Sequence, residues 1–580
     1  MQTFSGLVDE AEIPMPSREL DDLSHRSREI GPLPVVRHFF DRLRLDELLA
    51  THVPESKLGR RLALAHSKAL SVMVANILTS REPLYAVRNW LERRIVKHVG
   101  LGDDEVALFN DDRIGRALDR LYGTDPASLM TDVVMRAVKE FSIDLTQVHS
   151  DTTTVTFSGA YEGQKDKAAL DRPPLITFGH NKDHRPDLKQ LVYALVVSSD
   201  GSVPVHYKTY DGNKSDDKTH IEAWEAIRAI AGRPDFFYVA DSKLCTRENM
   251  GYLAGQGGIF LTVLPRSRQE DDAFRAYIQD HAIPWKEVRR KPDHDSDKPD
   301  RVHDAFEPDS KSVEGYRIVW YRSSVKASID EKRRSDRIAR ARMRIENLGE
   351  RTGAHQFRSI EAAQKAADKV LQDEGAQLWL HVQIREVGVH DFKQATPGKP
   401  SKDTKYRRID IPVILFDVTE VATAIVADAK CDGLFAMVTN NTPLSPKELL
   451  DAYKYQPFLE KRNEQLKSVL AVAPVFLKKP ERVAALLFLY FLAILVFALI
   501  EREARRAMDR DGIEAIPLYP EGRPCQAPTC DGILQAFEGI RRTDLLDSAG
   551  AIVKAFCDPL SPVANKLLHL LHVSRKAYQT

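Results

Sequence analysis

The segment IDLTQVHSDTTTVTFSG, residues 143–159, marks the point at which the sequence pattern changes from helix to sheet. It is rich in β-branched residues and ends at a glycine, which is typical of a strand. The segment QLVYALVVSSDGSVPVHYKTYDG, residues 190–212, contains SSDGS at its centre, a pattern that favours a tight turn between two strands. Together these segments predict three antiparallel strands at the start of a sheet.

The next hundred residues continue this sheet. SDDKTHIEAWEAIRAI predicts a helix with Ser215 as its N-cap, DFFYVAD a short buried strand, RENMGYLAGQG a second helix and IFLTVLP a further strand. Three antiparallel strands followed by helix, strand, helix and strand indicate a mixed α/β sheet, not a doubly wound parallel one.

The sequence on either side of this region predicts further domains. Residues 30–140 carry apolar residues at spacings of three and four, a helical pattern. Residues 266–430 lose the regular order, and strand character resumes in CDGLFAMVTN at 431. We therefore expect an α/β multidomain protein organised as a flexible tail 1–30, a helical DNA-binding or dimerisation region 31–140, a first core segment 141–265, an inserted α+β domain 266–430, a second core segment 431–510 and a C-terminal helical region 511–580.

The composition leaves several classes of protein open. With 84 basic and 84 acidic residues the formal net charge is zero, which neither supports nor excludes a nucleic-acid partner, since a basic groove can be balanced elsewhere. Five cysteines in 580 residues suggest reduced thiols and an intracellular protein. The spacing of Cys525, Cys530, His569 and His572 fits no strong zinc template.

One segment is long and apolar enough to cross a membrane: VAALLFLYFLAILVFALI, residues 483–500. A helix buried on all sides of a large domain has the same composition. We favour the buried helix, because the residues before it already look like part of a folded core, and we keep a membrane-tethered protein as the alternative.

The candidate chemistry consists of carboxylates. The sequence contains no Walker phosphate loop, no GxGxxG after a strand, no GxSxG and no HExxH. Asp151 lies in the first predicted strand, Asp241 ends the DFFYVAD strand, and Glu460 follows on a late helix. Converging carboxylates can hold two divalent cations for phosphodiester chemistry. An aspartate taken alone is more often a turn, cap or surface residue.

The late helix contains the most specific signal. Ser445 and Glu448 predict a capping box with Pro446 in the first turn, and Pro457 predicts a kink or restart. Beyond this proline, Glu460 and Lys467 are two helical turns apart and are expected on nearly one face.

Five segments, taken in order along the chain, resemble segments of insertion-sequence transposases of the DDE type, in the insertion-sequence family four superfamily. They are VHSDTTTVTF, GHNKDHRPDLKQ, FYVADSK, CDGLFAMVTN and YKYQPFLEKRNEQLK. That family has an RNase H-like core and a Tyr-Arg-Glu-Lys signature. Tyr453, Glu460 and Lys467 match the signature, whereas Gln456 stands at the arginine position. LYAVRNWLE and FNDDRIGRALDRLY also resemble the helical region of one branch of these transposases.

The resemblance implies both an activity and its residues. Asp151, Asp241 and Glu460 would bind two Mg²⁺ ions, for which Mn²⁺ may substitute, and would be the catalytic triad of a transposase that cleaves element ends and joins them to target DNA. Double-stranded DNA and a second copy in a synaptic complex would be the partners, in the cytoplasm and at the nucleoid of a bacterial or archaeal cell. Tyr453 and Lys467 would contact DNA, although Lys467 could equally be a solvated partner of a nearby glutamate.

Two other groups of cations are candidates for DNA contact. A cluster of cations and histidines lies before the second strand, where it could grip phosphates or simply pair with Asp183 and Asp187: His180, Lys182, His184, Arg185 and Lys189. The basic segment at 328–351 contains Arg333 and Arg337, which could bind the DNA backbone or only solvate a helix face. A metal-dependent nuclease and a catalytically inactive DNA-binding relative are the alternatives to a transposase.

Overall fold

The computed structural model describes residues 23–579 except 56–63, 160, 162–171, 183–184, 294–297, 351–356, 358 and 471–476. The chain forms two units, of which the first comprises Met1–Phe260 and Ala452–Thr580 and the second Leu261–Asp451. The inserted domain expected at 266–430 lies within the second unit.

The first unit begins with a strand and then a helical region. Its elements are β1 (Ser24–Glu29), α1 (Leu33–Leu43), α2 (Leu45–His52), α3 (His66–Thr79), α4 (Val87–Glu92), α5 (Asp111–Tyr122) and α6 (Pro126–Phe141). Capping side chains start two of these helices: Asn110 accepts from Arg113 N before α5, and Asp125 accepts from Ala127 N and Ser128 N before α6. The helical pattern predicted for this region is confirmed.

The sheet of the first unit follows. Its elements are β2 (Gln147–Phe157), β3 (Lys189–Ser198), β4 (Pro204–Asp211), α7 (His220–Ala231), β5 (Phe237–Ala240) and α8 (Arg247–Gly255). β2 pairs antiparallel with β3, β3 pairs antiparallel with β4, and β5 pairs parallel with β2. This is the mixed sheet that the sequence predicts, with strand order β4-β3-β2-β5.

The predicted N-cap of α7 is wrong. A 3₁₀ turn, Asp216–Thr219, precedes the helix, and α7 itself begins at His220. The Ser215 hydroxyl donates to the Asp217 carboxylate and caps no backbone N–H. The turn matters for the site below, because it carries Asp216.

The second unit combines a sheet with two long helices and a hairpin. Its elements, with β6 and α13 crossing the boundaries, are β6 (Ile259–Val263), α9 (Gln269–Asp280), β7 (Lys286–Lys291), β8 (Arg301–Phe306), β9 (Arg317–Ser323), α10 (Ser324–Gly349), α11 (Ile360–Glu374), β10 (Leu380–Gln394), β11 (Tyr406–Glu420), α12 (Ala422–Ala429), β12 (Leu434–Thr439) and α13 (Pro446–Tyr453). Strand order in the sheet is β6-β12-β9-β8-β7, while β10 and β11 form a separate two-stranded ribbon.

The chain returns to the first unit through α14 (Gln456–Glu464) and a π-helical turn, Gln465–Val469. The helix α15 (Pro480–Arg510) follows, and it contains the apolar segment. Among the described residues it is the one helix long and apolar enough to cross a membrane, and 89% of its most apolar window is buried inside the protein. It packs on α3, α5 and β4, where Tyr207 stacks on Phe491 with ring centroids 4.7 Å apart. In this structure α15 is therefore the core helix between the helical region and the sheet.

The last elements are α16 (Cys530–Gln535), β13 (Arg541–Leu546), β14 (Ile552–Cys557) and α17 (Pro562–Leu570). β13 pairs antiparallel with both β14 and β1, and the Tyr578 hydroxyl donates to Gly31 O at 2.9 Å. The strands β13 and β14 differ from the helical region expected at 511–580. The strand β1 differs from the flexible tail expected at 1–30. Both segments are short runs whose strand character depends on pairing with a sequence more than 500 residues away.

Candidate active site

Asp151 and Asp241 come from neighbouring parallel strands. The paired register of β2 and β5 ends with Ser150 opposite Ala240, so each aspartate is the next residue of its strand or just beyond it. Parallel neighbours lie about 4.8 Å apart, and this end of an open α/β sheet faces the ligand crevice. Asp241 also starts the following turn, since its carboxylate accepts from Lys243 N at 3.0 Å. The sheet thus brings together two residues that are ninety positions apart in the sequence.

α14 packs against β2 and brings a third carboxylate. The helix α13 ends at Tyr453 and a new helix, α14, begins at Gln456, with Pro457 in its first turn, as the sequence predicts. Glu460 is exposed on this helix, and one turn later Asn463 is buried and donates to Asp151 Oδ2 at 3.1 Å. Asn463 therefore fixes the Asp151 carboxylate to the helix that carries Glu460.

The pKa of Asp151 depends on burial and on the charged groups near it. Burial is the main cause that raises the pKa of Asp151 to about 6; the Lys182 ammonium opposes the rise, and Asp241 and Glu460 add to it. Burial also raises the pKa of Tyr453 to about 12, with Asp241, Glu460 and Asp151 contributing in the same direction. The three predicted carboxylates and Tyr453 are thus near enough to influence one another electrostatically.

Lys182 belongs to this site. Its Nζ donates to Thr152 O at 2.6 Å and to Thr152 Oγ1 at 2.7 Å, and it lies 3.2 Å from Asp216 Oδ2 and 3.8 Å from Asp151 Oδ1. Lys182 was predicted to contact DNA, whereas in the structure its ammonium is shared between two carboxylates. Asp216 is thereby a fourth acidic residue of the site.

A second, neutral network ties the start of α14 to β2. His149 Nδ1 donates to Gln456 Oε1 at 3.1 Å, Gln456 Nε2 donates to Ser150 O at 3.3 Å, and Gln147 donates to His149 Nε2 at 2.9 Å. Burial lowers the pKa of His149 to about 4, so the ring is neutral at physiological pH. Gln456 thus serves as both acceptor and donor at a position where an arginine could only donate.

The donors of this site are of the type that binds a hard divalent cation, but their present arrangement does not form a closed set of ligands. Carboxylate oxygens are the ligands that Mg²⁺ and Mn²⁺ prefer, and the negative charges of Asp151, Asp241 and Glu460 reinforce one another. In the arrangement described, however, Asp151 and Asp216 share the Lys182 ammonium. Within the residues that the structure describes, no three His, Cys, Asp or Glu side chains converge closely enough to hold a metal ion.

The end of α14 is anchored to α15. Arg462 and Glu501 form an ion pair at 2.7 Å, with their side chains only 3% and 2% exposed. Arg462 also donates to Ser202 O and Gly201 O, both at 3.0 Å, in the turn between β3 and β4. One buried guanidinium therefore holds α14, α15 and the β3–β4 turn together.

Lys467 does not follow the helical register expected from the sequence. The turn Gln465–Val469 is π-helical, and Leu470 N donates to Gln465 O at 2.8 Å, five residues back. A wider turn shifts each following side chain around the axis, so the expectation of Glu460 and Lys467 on one α-helical face is wrong in its geometry. Gln465 Nε2 donates to Glu501 Oε1 at 3.3 Å, which pulls this turn toward α15.

The remaining predicted DNA contacts are surface cations. His180 is exposed, Arg185 forms an ion pair with Asp187 at 2.7 Å, and Lys189 lies 5.9 Å from the ring of Phe178. His184 and Asp183 lie outside the described residues. In the second unit Arg333 and Arg337 are exposed on α10. Their neighbours on that helix are largely paired with acids: Arg334 with Asp428 and Asp432, Arg340 with Glu374, Arg342 with Glu420 and Arg344 with Asp373.

Sequence reasoning missed Asn463, Asp216 and His149. Asn463 could have been found, because it lies three residues after Glu460 and therefore on the same face of the helix. Asp216 follows the predicted third strand, and only the sheet order shows that this strand end lies near Asp151. Nothing in the sequence pattern marks His149, since its role depends on a partner 307 residues away.

Comparison with known proteins adds one family model. Residues 25–135 match a domain of unknown function (DUF4277), which covers β1 through most of α6. No curated protein matches the sequence. A cryo-EM structure of the piggyBac transposase synaptic complex with hairpin DNA aligns over 48% of this chain and 58% of that chain, at 11% identity and a TM-score of 0.26. The chain thus spans little more than half of that protein, and so weak a likeness supports no conclusion about fold or function.

Proposed function

We propose that the protein is a DNA transposase of the cut-and-paste kind, with an RNase H-like core built on β2 to β5. The observation that carries the proposal is the placement of Asp151 and Asp241 on neighbouring parallel strands, directly after the paired residues Ser150 and Ala240, with Glu460 on the helix α14 that packs against β2. Three antiparallel strands with a fourth parallel to the first support the RNase H-like assignment.

In this proposal Asp151, Asp241 and Glu460 would hold Mg²⁺ or Mn²⁺, which supplies positive charge at the scissile phosphate and lowers the pKa of bound water. The protein itself would orient the three carboxylates. Asn463 holds one oxygen of Asp151, and β5 and α14 fix the other two carboxylates. Tyr453 is a half-buried phenol near the three acids, whose charges help to raise its pKa.

Lys182 supplies a positive charge that lies beside Asp151 before any substrate enters. An ammonium on a flexible stem can leave Asp151 and remain with Asp216 or turn to a DNA phosphate. The proposed role of Lys182 in DNA contact is therefore compatible with its place among the acids, as a cation that exchanges partners during the reaction.

The test uses DNA that carries both flanks of the gene, incubated with purified protein and Mg²⁺ or Mn²⁺. Wild type is compared with Asp241→Asn and Glu460→Gln for end cleavage, strand joining and DNA binding. We expect metal-dependent cleavage and joining that both variants lose while binding DNA normally. Equal activity of the variants would contradict the site.

Two further outcomes of the same experiment point to the alternatives. Cleavage of DNA without preference for the flanks and without joining would identify a metal-dependent nuclease. Specific binding with no cleavage by wild type would identify a catalytically inactive DNA-binding relative. The proposed cellular place, cytoplasmic and at the nucleoid, follows from the DNA substrate alone.

A further inference from the structure

The ribbon of β10 and β11 extends beyond the core of the second unit. Each strand has 15 residues, about 50 Å at 3.4 Å per residue. Its base packs against α10 and α11, where Leu380, Val382 and Ile414 are buried. Beyond the paired residues Glu386 and Ile414, residues 387–413, here called the distal ribbon, are exposed or half-buried. A two-stranded hairpin of this kind is marginally stable in water without a partner.

The distal ribbon is basic. It contains three acids, Asp391, Asp403 and Asp410, and six cations, Lys393, Lys399, Lys402, Lys405, Arg407 and Arg408. Asp410 is engaged by His390 and Arg408. Among the residues that the structure describes, the other five cations form no ion pair, whereas most arginines on neighbouring α10 do.

Two of these cations face each other. Lys393 is directly opposite Arg407 in the antiparallel register, a like-charge pair that destabilises a hairpin unless an anion neutralises it. On the other face Phe392 and Tyr406 are 65% and 52% exposed, and Phe392 lies opposite Arg408. Aromatic side chains among unpaired cations are typical of surfaces that bind nucleic acid.

We propose that the distal ribbon binds double-stranded DNA. A two-stranded antiparallel ribbon fits the major groove, which is about 12 Å wide, and the unpaired cations would neutralise phosphates on its walls. A second copy of the chain is the other occupant that the exposed strand edges allow. The charge argues against it, because two ribbons side by side would bring the same excess of positive charge together. The inference rests on the proposed function, in that it assigns a surface to the DNA that the function requires.

The test measures binding of a fluorescein-labelled 30-bp duplex by full-length protein at several salt concentrations. In the ribbon variant Lys393, Lys402, Lys405 and Arg407 are replaced by Ala. The matched control replaces four cations of the same unit, Arg340→Ala, Arg342→Ala, Arg344→Ala and Lys369→Ala. Each lost phosphate contact reduces the slope of log K against log salt by about 0.9, so for four cations we expect a slope smaller by about 3.6, together with roughly tenfold weaker binding at 0.1 M salt, in the ribbon variant alone.

A shortened ribbon provides the second variant. Replacing residues 387–413 by Asn-Gly closes the hairpin between Glu386 and Ile414 and keeps the packed base. It should reproduce the loss of DNA affinity with an unchanged unfolding temperature. An unchanged salt slope in both variants would overturn the proposal, and conversion of a dimer to a monomer in sedimentation would assign the ribbon to self-association instead.

The two proposals fail separately. If wild type binds DNA through the ribbon but cleaves no flank DNA, the ribbon assignment stands and the transposase does not. If flank cleavage depends on Asp241 while the ribbon variants bind and cut like wild type, the transposase assignment stands and the ribbon assignment does not.

Discussion

The most informative residue is one at which the sequence departs from the pattern it resembles. Gln456 stands where an arginine is expected, and its buried amide accepts from His149 and donates to Ser150. A guanidinium at this position would leave the His149 N–H without an acceptor and bury a charge beside a neutral ring. The departure is thus part of a consistent local network.

We expect Gln456→Arg to destabilise the fold by about 1–3 kcal/mol, because the His149 N–H loses its acceptor in a buried place. Chemical denaturation of the variant measures this loss. A matched control is Gln535→Arg, where the side chain is exposed on α16 and the change should leave stability nearly unaltered. Equal or higher stability of Gln456→Arg would show that the arginine finds partners of its own and would contradict the network.

The raised pKa of Asp151 predicts a pH-dependent stability. In the unfolded chain an aspartate loses its proton near pH 3.9, whereas in the fold burial keeps Asp151 protonated to about pH 6. Between these values the folded state binds more protons, so stability falls as pH rises. Relative to wild type, Asp151→Asn should gain on the order of 2–3 kcal/mol on going from pH 4 to pH 7.5.

Thermal unfolding of both proteins across this pH range measures the difference. Mn²⁺ at pH 7.5 should raise the unfolding temperature of wild type and leave that of Asp151→Asn unchanged, since a cation removes the repulsion among the acids. Parallel pH profiles, or equal stabilisation by Mn²⁺, would contradict the placement of Asp151 among them.

At the scale of elements, α14 and α15 act as one support for the site. Arg462 pairs with Glu501 at the polar end of the most apolar helix, and Arg502 of that helix donates to Phe141 O at 3.0 Å. The sequence predicted both helices and the buried state of the second. It could not predict the pairing, because a charged residue beside an apolar run is equally consistent with a surface cap.

Breaking this pair should be costly. Glu501→Gln keeps the shape and leaves the guanidinium of Arg462 buried without its counter-charge, for which we expect a loss of about 3–5 kcal/mol. Arg462→Met combined with Glu501→Gln should cost less than the sum of the two single changes. Equilibrium denaturation of the four proteins gives the coupling energy, and strict additivity would show that the two residues do not interact.

The mixed sheet illustrates what the sequence specified locally. The sequence predicts β2, β3, β4 and β5 from β-branched runs and a turn, and the short connection between β3 and β4 accounts for their pairing. The start of α7 and the π-helical turn were not predicted, since both depend on side chains, Ser215 with Asp217 and Gln465 with Glu501, that compete with the helical pattern.

At the scale of the whole molecule, two strands of the first unit that are far apart in the sequence, β1 and β13, pair with each other. β1 belongs to the segment that matches the family of unknown function, yet its strand partner is β13. The sequence could not reveal this, because β1 is a short charged segment, SHRSRE, that forms a strand only when paired.

Removing residues 541–579 should therefore loosen the helical region as well as the C-terminus. We expect faster amide exchange in β1 and α1 and a lower unfolding temperature, measured by hydrogen exchange with mass spectrometry. The shortened distal ribbon is the control for removing strand residues from another part of the chain, and it should leave exchange in β1 unchanged. Unchanged exchange in β1 after the truncation would show that the hydrogen bonds of Glu29 with Arg93 and Ile95 hold the strand, and not its pairing with β13.

The pairing of β1 with β13 also orders events in time. A ribosome adds about 5–20 residues per second, so residues 24–29 wait roughly 25 to 100 s for residues 541–546 to be made. During this interval the strand is kept from other sheets by its own polar, charged composition. The N-terminal region is thereby synthesised well before its strand β1 can pair with β13. A chain released before residue 541 would contain that region without this partner strand. The first unit therefore acquires its complete β1–β13 pairing only after residues 541–546 have been translated.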